Sequence, residues 1–185
     1  ASGKGGSIKR LTEGFDPRGY DVVPIGVPTE LEKAHNYLWR FWIQFPPKGF
    51  ITIFDRTWYR RVLVERVRGL TAEENWRRAY GEINQMEREL ADNGTVIVKF
   101  WMHIDPQTEY ERFLARETTP DKQWKIGPDD WKARSQWDEY VAAADEMLFR
   151  TNTGYAPWTI VPSDNKYYAR VMVMETVIAA MKKAL

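Results

Sequence analysis

The sequence predicts an α/β protein with a mainly parallel sheet flanked by helices. Short runs of β-branched and aromatic residues alternate with longer stretches of helical character, which is typical of successive β-α-β units. Two of the short runs, FITIF at 50–54 and TVIVKFW at 95–101, are almost continuously apolar. A strand covered by helices on both faces has this pattern, because neither face meets water. The chain has no internal repeat and no linker, so we expect a single domain over residues 1–185.

The order of these runs predicts four strands and the helices between them. The strands are expected at 21–25, 50–54, 95–101 and 158–161. The helices are expected at 8–15, 29–45, 57–69, 71–92, from 105 onward, 128–149 and 163–183. The segment 117–130 is polar and rich in Thr, Pro, Lys and Asp, so we expect a mobile loop within a lid-like insertion at about 117–140.

Three helix starts carry specific local signals. Thr71 with Glu74 fits a capping box, in which each residue satisfies a backbone N–H of the other. Asp105 before Pro106 fits an N-cap followed by the first helical position. Ser163 is expected to cap the last helix.

The composition excludes several classes of protein. The chain has 185 residues, with 27 Lys and Arg against 26 Asp and Glu, so its formal net charge is +1. This balance argues against a nucleic-acid-binding protein that relies on bulk positive charge. Hydrophobic residues make up 43%, which excludes a disordered chain, and the absence of cysteine excludes disulfides and thiol nucleophiles. No apolar run suits a membrane helix and no signal peptide is visible, so we expect a cytoplasmic location.

The first candidate site is the glycine-rich start of the chain, which reads ASGKGGS and precedes a helix. Gly3, Gly5 and Gly6 allow a tight turn whose N–H groups point at one anion, and the helix start and Lys4 add positive charge. These residues fit only the last part of a Walker A motif, with Gly5 in place of the Ser or Thr that would bind magnesium. From these residues alone, a flexible tail is the alternative interpretation.

The second candidate site is the end of the run FITIF, where Asp55 and Arg56 follow. Ligands gather at the carboxyl ends of strands in a parallel sheet, and an Asp at that position can hold a hydrated magnesium ion. Asp55 also precedes a helical stretch, so a helix N-cap is the alternative interpretation. The two interpretations are compatible.

The third candidate is a set of basic residues that follows these strands and continues into the insertion. It comprises Arg56, Arg60, Arg61, Arg66, Arg68, Arg112, Arg116, Lys122, Lys125, Lys132 and Arg134. Guanidinium groups match phosphate oxygens in bidentate geometry, and a basic loop that closes over a transferring phosphate supplies charge and excludes water. For each residue taken singly, a solvated and salt-bridged surface is the alternative interpretation.

Together these segments resemble the polyphosphate kinase 2 family, P-loop phosphotransferases that exchange phosphate between inorganic polyphosphate and nucleotides. The likeness covers nearly the whole chain, with the matching segments in the family's order. They include ASGKGGSIKRLTEGFDPRGYDVVPIGVPTE, FITIFDRTWYRRVLVERVRGL, DKQWKIGPDDWKARSQWDEY and RTNTGYAPWTIVPSDNKYYARV. The stretches YLWRFW and RVLVERV look most like the class that phosphorylates AMP. The resemblance implies a three-layer P-loop kinase fold with a helical lid.

The resemblance also implies roles for individual residues. Lys4 matches the Walker A lysine, and Asp55 with Arg56 matches the Walker B pair, in which Asp55 would help to hold Mg²⁺. Arg61 and Arg116 match residues that neutralise the reacting groups. The residues expected to bind phosphate or polyphosphate are Gly3, Gly5, Gly6, Lys9, Arg10, Arg18, Lys122, Lys125 and Arg134.

Three departures from the family pattern stand out. The acidic residue and the strand expected before the Walker A segment would precede Ala1, so we expect the sequence to be part of a longer chain. Gln123 stands in the lid where the family commonly has Arg. Arg60 replaces a residue that is usually small or an amide, and it thereby adds a charge beside Asp55.

The resulting hypothesis is a magnesium-dependent enzyme that moves a phosphoryl group between polyphosphate and AMP, ADP or GDP, with Glu65 near the nucleotide. Two alternatives are compatible with the same residues: an ATP-dependent nucleotide kinase, and a non-catalytic module that binds polyanions. We expect a homo-oligomer, a dimer or a tetramer, with the aromatic surface of 29–45 as a contact. Neither a nucleic acid nor a membrane is expected as a partner.

Overall fold

The computed structural model describes residues 2–184 and has a mixed α/β fold. Ala1, the first residue of the predicted glycine turn, lies outside the described residues, as does Leu185. The strands are β1 (Tyr20–Pro24), β2 (Ile51–Asp55), β3 (Lys99–His103) and β4 (Trp158–Pro162). Within the described residues, β1 pairs with β2 and β3 pairs with β4. Both pairs are parallel, which confirms the predicted strand direction, although they form two small sheets rather than one.

The helices follow the predicted order. They are α1 (Lys4–Thr12), α2 (Glu30–Lys33), α3 (Trp39–Trp42), α4 (Val64–Val67), α5 (Glu73–Asp92), α6 (Pro106–Glu117), α7 (Pro128–Ser135), α8 (Trp137–Thr151) and α9 (Lys166–Ala184). Two 3-10 helices cover Trp58–Arg61 and Pro120–Lys125. Within residues 2–184, no helix is long and apolar enough to cross a membrane.

Two stretches that were predicted as single helices are broken. The stretch 29–45 forms α2 and α3, because the Asn36 side chain accepts a hydrogen bond from the Leu38 N–H (2.9 Å) and starts a new turn. The stretch 57–69 forms a 3-10 helix and α4. Leu63 separates them, since its backbone (φ −116°, ψ −88°) lies outside helical geometry. Local side-chain hydrogen bonding and backbone geometry therefore override the helical pattern in both places.

The lid-like insertion is more helical than predicted. The segment 117–130, expected as a loop, contains the end of α6, the 3-10 helix Pro120–Lys125 and the start of α7. The predicted helix 128–149 is divided into α7 and α8 at Gln136, whose backbone (φ −105°, ψ 29°) is not helical. Single-sequence patterns miss such a one-residue break, because apolar spacing continues across it.

Two of the three predicted caps are wrong. The N-cap of α5 is Ala72, which has no side-chain bond, and Thr71 Oγ1 instead accepts a hydrogen bond from Arg61 Nη1 (2.7 Å). Ser163 is buried and donates to the carbonyl of Val161 (3.0 Å). The cap at Asp105 is confirmed, since its side chain accepts from the Thr108 N–H (2.8 Å).

The first N–H groups of α9 are bound by a different side chain from the one predicted. Asn165 Oδ1 accepts hydrogen bonds from the N–H groups of Tyr167 (2.9 Å) and Tyr168 (3.1 Å). An Asn in this role is as favourable as the predicted Ser. The sequence therefore predicted the right region for the start of the last helix, but the wrong residue for its cap.

The first helix and the third strand are shifted along the sequence. α1 begins at Lys4 rather than at residue 8, so most of the glycine-rich start is helical. β3 begins at Lys99 rather than at residue 95. The Thr95 N–H donates to the Leu90 carbonyl (2.9 Å), and this bond holds the chain to the end of α5 before the strand starts.

An aromatic cluster in the main core fixes the direction of β2. The Phe54 ring makes edge-to-face contacts with Phe41 (5.9 Å between ring centroids), Phe45 (6.0 Å) and Trp58 (5.5 Å). Successive residues of a strand point to opposite faces, so an inward Phe54 turns Asp55 away from this cluster. Packing of one ring thereby directs the carboxylate at the end of the strand.

A buried ionic network joins four elements of the fold. The Glu87 carboxylate of α5 accepts hydrogen bonds from Trp58 Nε1 (3.0 Å) and the Tyr59 hydroxyl (2.7 Å). Lys99 Nζ, at the start of β3, donates to Glu87 (2.7 Å), to the Tyr59 hydroxyl (2.8 Å) and to the Thr151 carbonyl (2.8 Å). Glu87 is 0% exposed, and all three protons of the Lys99 ammonium group have an acceptor.

The energetics of this network depend on its completeness. Burial lowers the pKa of Lys99, while the Glu87 carboxylate raises it. Burial also raises the pKa of the Tyr59 hydroxyl well above its ordinary value. A buried charge is tolerated only while it stays paired, so the loss of one partner costs far more than the pair contributes.

Removal of one member of this pair is expected to destabilise the fold strongly. Lys99→Met leaves the Glu87 carboxylate buried without its counter-charge, so the free energy of unfolding should fall by about 3–5 kcal/mol in urea denaturation. The control is Arg77→Met, which removes an exposed ion pair with Glu73 (2.6 Å) and should cost less than about 1 kcal/mol. Equal effects of the two variants would contradict a structural role for the network.

Candidate functional site

The end of β2 and the start of α1 meet at an ion pair. Asp55 is the last residue of β2, and its Oδ1 lies 2.5 Å from Nζ of Lys4, the first residue of α1. The two side chains are 39% and 32% exposed, for Lys4 and Asp55 respectively. Both side chains are therefore partly open to solvent, although the contacting oxygen, Asp55 Oδ1, is itself buried, and an incoming anion can compete with Asp55 for the Lys4 ammonium group. The structure thus brings together two motifs that lie about 50 residues apart in the sequence.

Gly3 makes the turn that places Lys4. Its φ of 89° lies in the left-handed region, which a residue with a Cβ adopts only at a cost. Its carbonyl accepts hydrogen bonds from the N–H groups of Gly6 (3.0 Å) and Ser7 (3.1 Å), so the helix starts directly after it. The N–H groups of Lys4 and Gly5 lie in the first turn, where an α-helix offers them no internal acceptor. The positive end of the helix dipole therefore faces the same region as the Lys4 side chain.

Arg56 follows Asp55 in a strained conformation. Its φ is +69°, and within residues 2–184 it is the one non-glycine residue with a positive φ. Such conformations cost of order 1–3 kcal/mol and cluster at functional sites. Its side chain is exposed at the end of β2, beside the ion pair.

Three arginines differ from the rest in having an unpaired guanidinium group. Among the described residues, Arg56, Arg60 and Arg170 make neither a hydrogen bond nor an ion pair through their side chains. The other arginines are held by carboxylates or carbonyls. One example is the ion pair of Arg66 with Glu146 (2.6 Å). The unpaired groups belong to two sets of cations, which are carried by different elements of the fold.

The first set, the α9 cation group, comprises Arg112, Arg116, Lys122, Lys166 and Arg170. These side chains come from α6, the lid 3-10 helix and α9. Burial lowers the pKa of Lys166, and the positive charges of the other four members lower it further. Several cations that act on one ammonium group form a surface suited to an anion of high charge density.

The α9 cation group borders the glycine turn. A methyl group added at Gly6 would lie 3.0 Å from Nη2 of Arg170, so the guanidinium group rests against the backbone of α1. Lys166 and Arg170 were not among the predicted residues, and Arg112 was predicted only as a member of the basic set. The available signal was their spacing of four residues at the start of a helix that follows a strand, which places both on one face.

The second set, the Arg60 group, comprises Arg40, Arg56, Arg60 and Arg68. Burial lowers the pKa of Arg60, Glu65 raises it, and the other three arginines lower it. Arg40 is paired with Glu32 (3.1 Å) and Arg68 with Asp129 (3.4 Å), whereas Arg56 and Arg60 have no such partner. Arg60, predicted as a member of the basic set and as a departure from the family pattern, is therefore part of the site's electrostatics.

Arg61 and Glu65, both predicted near the reacting groups, contact each other. Arg61 Nε lies 3.3 Å from Glu65 Oε2, and its guanidinium group stacks on the Tyr37 ring at 4.3 Å. Beside them is a cavity of about 210 Å³ lined by Asn36, Tyr37, Arg61, Asn75 and Arg78. The lining combines amides, guanidinium groups and an aromatic ring, so it offers both hydrogen bonds and a stacking surface.

The predicted lid residues contact α6 and one another. Arg134 donates to the Pro106 carbonyl (2.6 Å) and so anchors α7 to α6. Arg116 donates to the Lys125 carbonyl (3.3 Å), and Lys125 lies over the Trp124 ring at 4.8 Å. Lys122, predicted in the lid, and Arg116, predicted to neutralise the reacting groups, both belong to the α9 cation group. The contact of Arg134 is with the scaffold, and its predicted role in binding polyphosphate stays a prediction.

The remaining predicted phosphate ligands lie on or after α1. Arg10 pairs with Glu13 (2.6 Å), and Arg18 pairs with Asp16 (2.8 Å) while 88% of its side chain is exposed. Lys9 lies on the exposed side of α1 and contributes to lowering the pKa of Glu13. The structure therefore does not bring Arg18 to the ion pair.

Asp55 is a single carboxylate rather than a member of an acidic cluster. Within residues 2–184, no group of three or more His, Cys, Asp or Glu side chains could hold a metal ion. Mg²⁺ commonly keeps several waters and is bound through one or two carboxylates together with substrate phosphates. A lone carboxylate beside cations fits a magnesium ion that arrives with phosphate, and it does not fit a metal held by protein ligands alone.

Comparison with known sequences gives a match over the whole chain. The sequence model of the family described as Polyphosphate kinase 2 (PPK2) matches residues 1–185. The chain is 52% identical over 184 residues to the polyphosphate:AMP phosphotransferase of Pseudomonas aeruginosa, covering 100% of this chain and 37% of that protein. It is 38% identical to the AMP/ADP-polyphosphate phosphotransferase of Meiothermus ruber, covering 98% of this chain and 68% of that one.

Comparison with solved structures agrees. A crystal structure from P. aeruginosa described as polyphosphate kinase 2 has a TM-score of 0.97 and 52% identity, covering 99% of this chain and 40% of that chain. The polyphosphate kinase 2 of Arthrobacter aurescens has a TM-score of 0.95 and 36% identity, covering 98% and 64%. The chain thus spans less than half the length of its P. aeruginosa relative.

The geometry at Gly3 leads to a testable prediction. Gly3→Ala forces a Cβ into the left-handed region, so the free energy of unfolding should fall by about 1–2 kcal/mol. The matched control is Gly5→Ala, because Gly5 is helical and has open space around it, and this variant should be neutral or up to about 1 kcal/mol more stable. Urea denaturation of the two variants measures the difference, and a reversed order would contradict the described turn.

Proposed function

The chain belongs to the polyphosphate kinase 2 family, and from that premise we propose that it transfers a phosphoryl group between inorganic polyphosphate and a nucleoside mono- or diphosphate. The observation that carries the proposal is the Lys4–Asp55 ion pair, next to which lie members of two sets of cations: Arg56 directly follows Asp55, and Arg170 rests against the start of α1. Two anionic substrates must approach each other for such a transfer. A site with two sets of cations offsets their mutual repulsion.

Polyphosphate is assigned to the α9 cation group. A polyphosphate chain carries a uniform row of negative charges and offers no other feature to recognise. The α9 cation group supplies five cations from three elements, one of which, Arg170, rests against the glycine turn. The end of a bound chain is thereby directed toward Lys4.

The nucleotide is assigned to the side of Glu65 and the Arg60 group. A nucleotide carries ribose hydroxyls and a base besides its phosphates, so it needs acceptors and an aromatic surface as well as cations. Glu65 offers a carboxylate, and the cavity beside Arg61 offers amides and the Tyr37 ring. The 52% identity with a polyphosphate:AMP phosphotransferase favours AMP as the acceptor.

The transfer needs positioning and charge stabilisation rather than a general base. An oxygen of the nucleotide phosphate attacks the terminal phosphorus of polyphosphate, and the bond from that phosphorus to its bridging oxygen breaks. The attacking oxygen is already anionic, so no proton has to be removed. Lys4, Arg56, Arg61 and Arg116 are proposed to offset the charge on the transferred group and on the leaving chain.

Asp55 is proposed to hold a magnesium ion together with the substrate phosphates. When bound, this ion would neutralise phosphate charge. Before substrate binds, the Asp55 carboxylate is paired with Lys4. Release of Lys4 toward a phosphate frees the carboxylate for the ion, so the two events support each other electrostatically.

A homo-oligomer in the cytoplasm is proposed as the working form. The predicted contact surface, 29–45, exposes apolar side chains that are unusual on a soluble surface: Leu31 (62%), Trp42 (42%) and Ile43 (54%). This surface supports self-association, for which the molar mass in solution by light scattering is the direct test.

Replacement of Lys4 is expected to remove most of the activity. Lys4→Met deletes the cation that meets the transferring phosphate, so turnover should fall by about 10²-fold or more. The assay measures ADP formed from AMP and polyphosphate with magnesium present, in the intact protein. Lys33→Met is the control, since Lys33 pairs with Glu30 (2.7 Å) on α2, and it should leave turnover unchanged.

The same assay distinguishes polyphosphate from ATP as the phosphoryl donor. Long polyphosphate should support turnover and compete with ATP for the site. Turnover with ATP that polyphosphate neither supports nor inhibits would identify an ATP-dependent kinase instead. Nucleotide binding without any turnover would identify a non-catalytic module.

Replacement of Lys122 is expected to weaken polyphosphate binding. Lys122→Ala removes one charge from the α9 cation group, so the KM for polyphosphate should rise and depend less steeply on salt concentration. The KM for the nucleotide should stay within twofold. Lys182→Ala, at the opposite end of α9, is the control. A salt-independent defect, or a defect in nucleotide binding alone, would place Lys122 outside the polyphosphate surface.

A further inference from the structure

The positive charge of the Arg60 side chain takes part in no ion pair among the described residues. It lies in the 3-10 helix Trp58–Arg61, five residues after Asp55. Within residues 2–184, its side chain has no hydrogen bond and no ion pair, although it is not fully exposed. Its neighbours in the same helix, Trp58 and Tyr59, are bound to Glu87, so the backbone that carries Arg60 is held in place.

The surroundings of Arg60 are rich in positive charge. The guanidinium groups of Arg40, Arg56 and Arg68 lower the pKa of Arg60, and the Glu65 carboxylate raises it. Glu65 is already paired with Arg61 (3.3 Å). A partly buried guanidinium group without its own counter-charge is unfavourable, and an anion bound against Arg56 and Arg60 would relieve the repulsion.

The position of Arg60 distinguishes between the two anionic substrates. The α9 cation group is carried by α6, the lid 3-10 helix and α9, whereas Arg60 lies in the 3-10 helix Trp58–Arg61 that follows β2. The Arg60 group and the surface assigned to polyphosphate are therefore built from different elements of the fold. Arg60 lies four residues after Arg56 and five after Asp55 in the chain, and the Glu65 carboxylate acts on it.

We propose that Arg60, together with Arg56, binds the phosphate of the acceptor nucleotide and thereby sets the affinity for that substrate. The proposal rests on the proposed function, because it assumes that a nucleotide is the second anion. Two guanidinium groups from one short segment can hold a phosphate with several parallel N–H···O bonds. Arg60 is then a binding residue for the acceptor, and it takes no part in holding polyphosphate.

Arg60→Gln and Arg60→Lys test this assignment in the intact protein. With polyphosphate saturating, Arg60→Gln should raise the KM for the nucleotide by about 10- to 100-fold, the usual effect of losing one charge-assisted contact. The KM for polyphosphate should stay within twofold. Arg60→Lys should restore part of the affinity, because an ammonium group keeps the charge but loses the bidentate geometry.

Two controls separate this effect from a loss of folding. Arg77→Gln removes an arginine that pairs with Glu73 on the exposed side of α5, and it should change neither KM. Since Arg60 has no partner within the described residues, Arg60→Gln should unfold at the same urea concentration as the unmodified protein. An increase in the KM for polyphosphate, with the KM for the nucleotide unchanged, would overturn the assignment.

Direct binding distinguishes this proposal from the proposed function. Isothermal titration with AMP or ADP in the absence of polyphosphate measures acceptor affinity without turnover. Weakened nucleotide binding in Arg60→Gln supports the acceptor site even if the protein transfers no phosphate. Turnover together with unchanged nucleotide affinity in Arg60→Gln overturns the acceptor site and leaves the proposed function standing. Absence of nucleotide binding by the unmodified protein overturns the acceptor site as well.

Discussion

The buried contact between Glu87 and Lys99 is the constraint from which the position of the site follows. Trp58 and Tyr59 both donate to the Glu87 carboxylate, so the 3-10 helix that carries them is fixed with these two residues inward. The two arginines that complete this helix are thereby kept near the carboxyl end of β2. An ion pair inside the protein thus determines where cations stand at its surface, and it can do so because a buried charge tolerates little displacement of its partner.

The site concentrates unpaired positive charge in a way that suits an anion-binding protein. Arg56 is strained, and the guanidinium groups of Arg56 and Arg60, which follow Asp55 in the chain, make no ion pair within the described residues. Functional sites commonly hold such unfavourable features, because the groups that bind a ligand cannot also satisfy one another. The Lys4–Asp55 pair is the exception, and its solvent exposure leaves it able to exchange partners. The core and the buried network stabilise the fold. This stability offsets the cost of the strained and unpaired groups at the site.

Local sequence patterns succeeded where one short segment contains all the information. The apolar run FITIF predicted β2 to within a residue, and Asp105 predicted the start of α6 through its own hydrogen bond. Local patterns failed where another residue takes the hydrogen bond that the pattern predicts, or where a side chain interrupts the helix. Thr71 has the right spacing for a capping box, but its hydroxyl is taken by Arg61. Asn36 interrupts a helical pattern whose apolar spacing continues on both sides.

By itself, the sequence determined the parallel strands, the family, and the two motifs that carry Lys4 and Asp55, because apolar runs and glycine-lysine spacing are local properties. Only the tertiary structure decided which of the many arginines are unpaired. Arg134 and Arg60 look alike in the sequence, yet the first is bound to a backbone carbonyl and the second has no partner among the described residues. The physical reason is that counter-charges come from elements far away in the chain, so whether a cation is available to a substrate depends on how those elements pack.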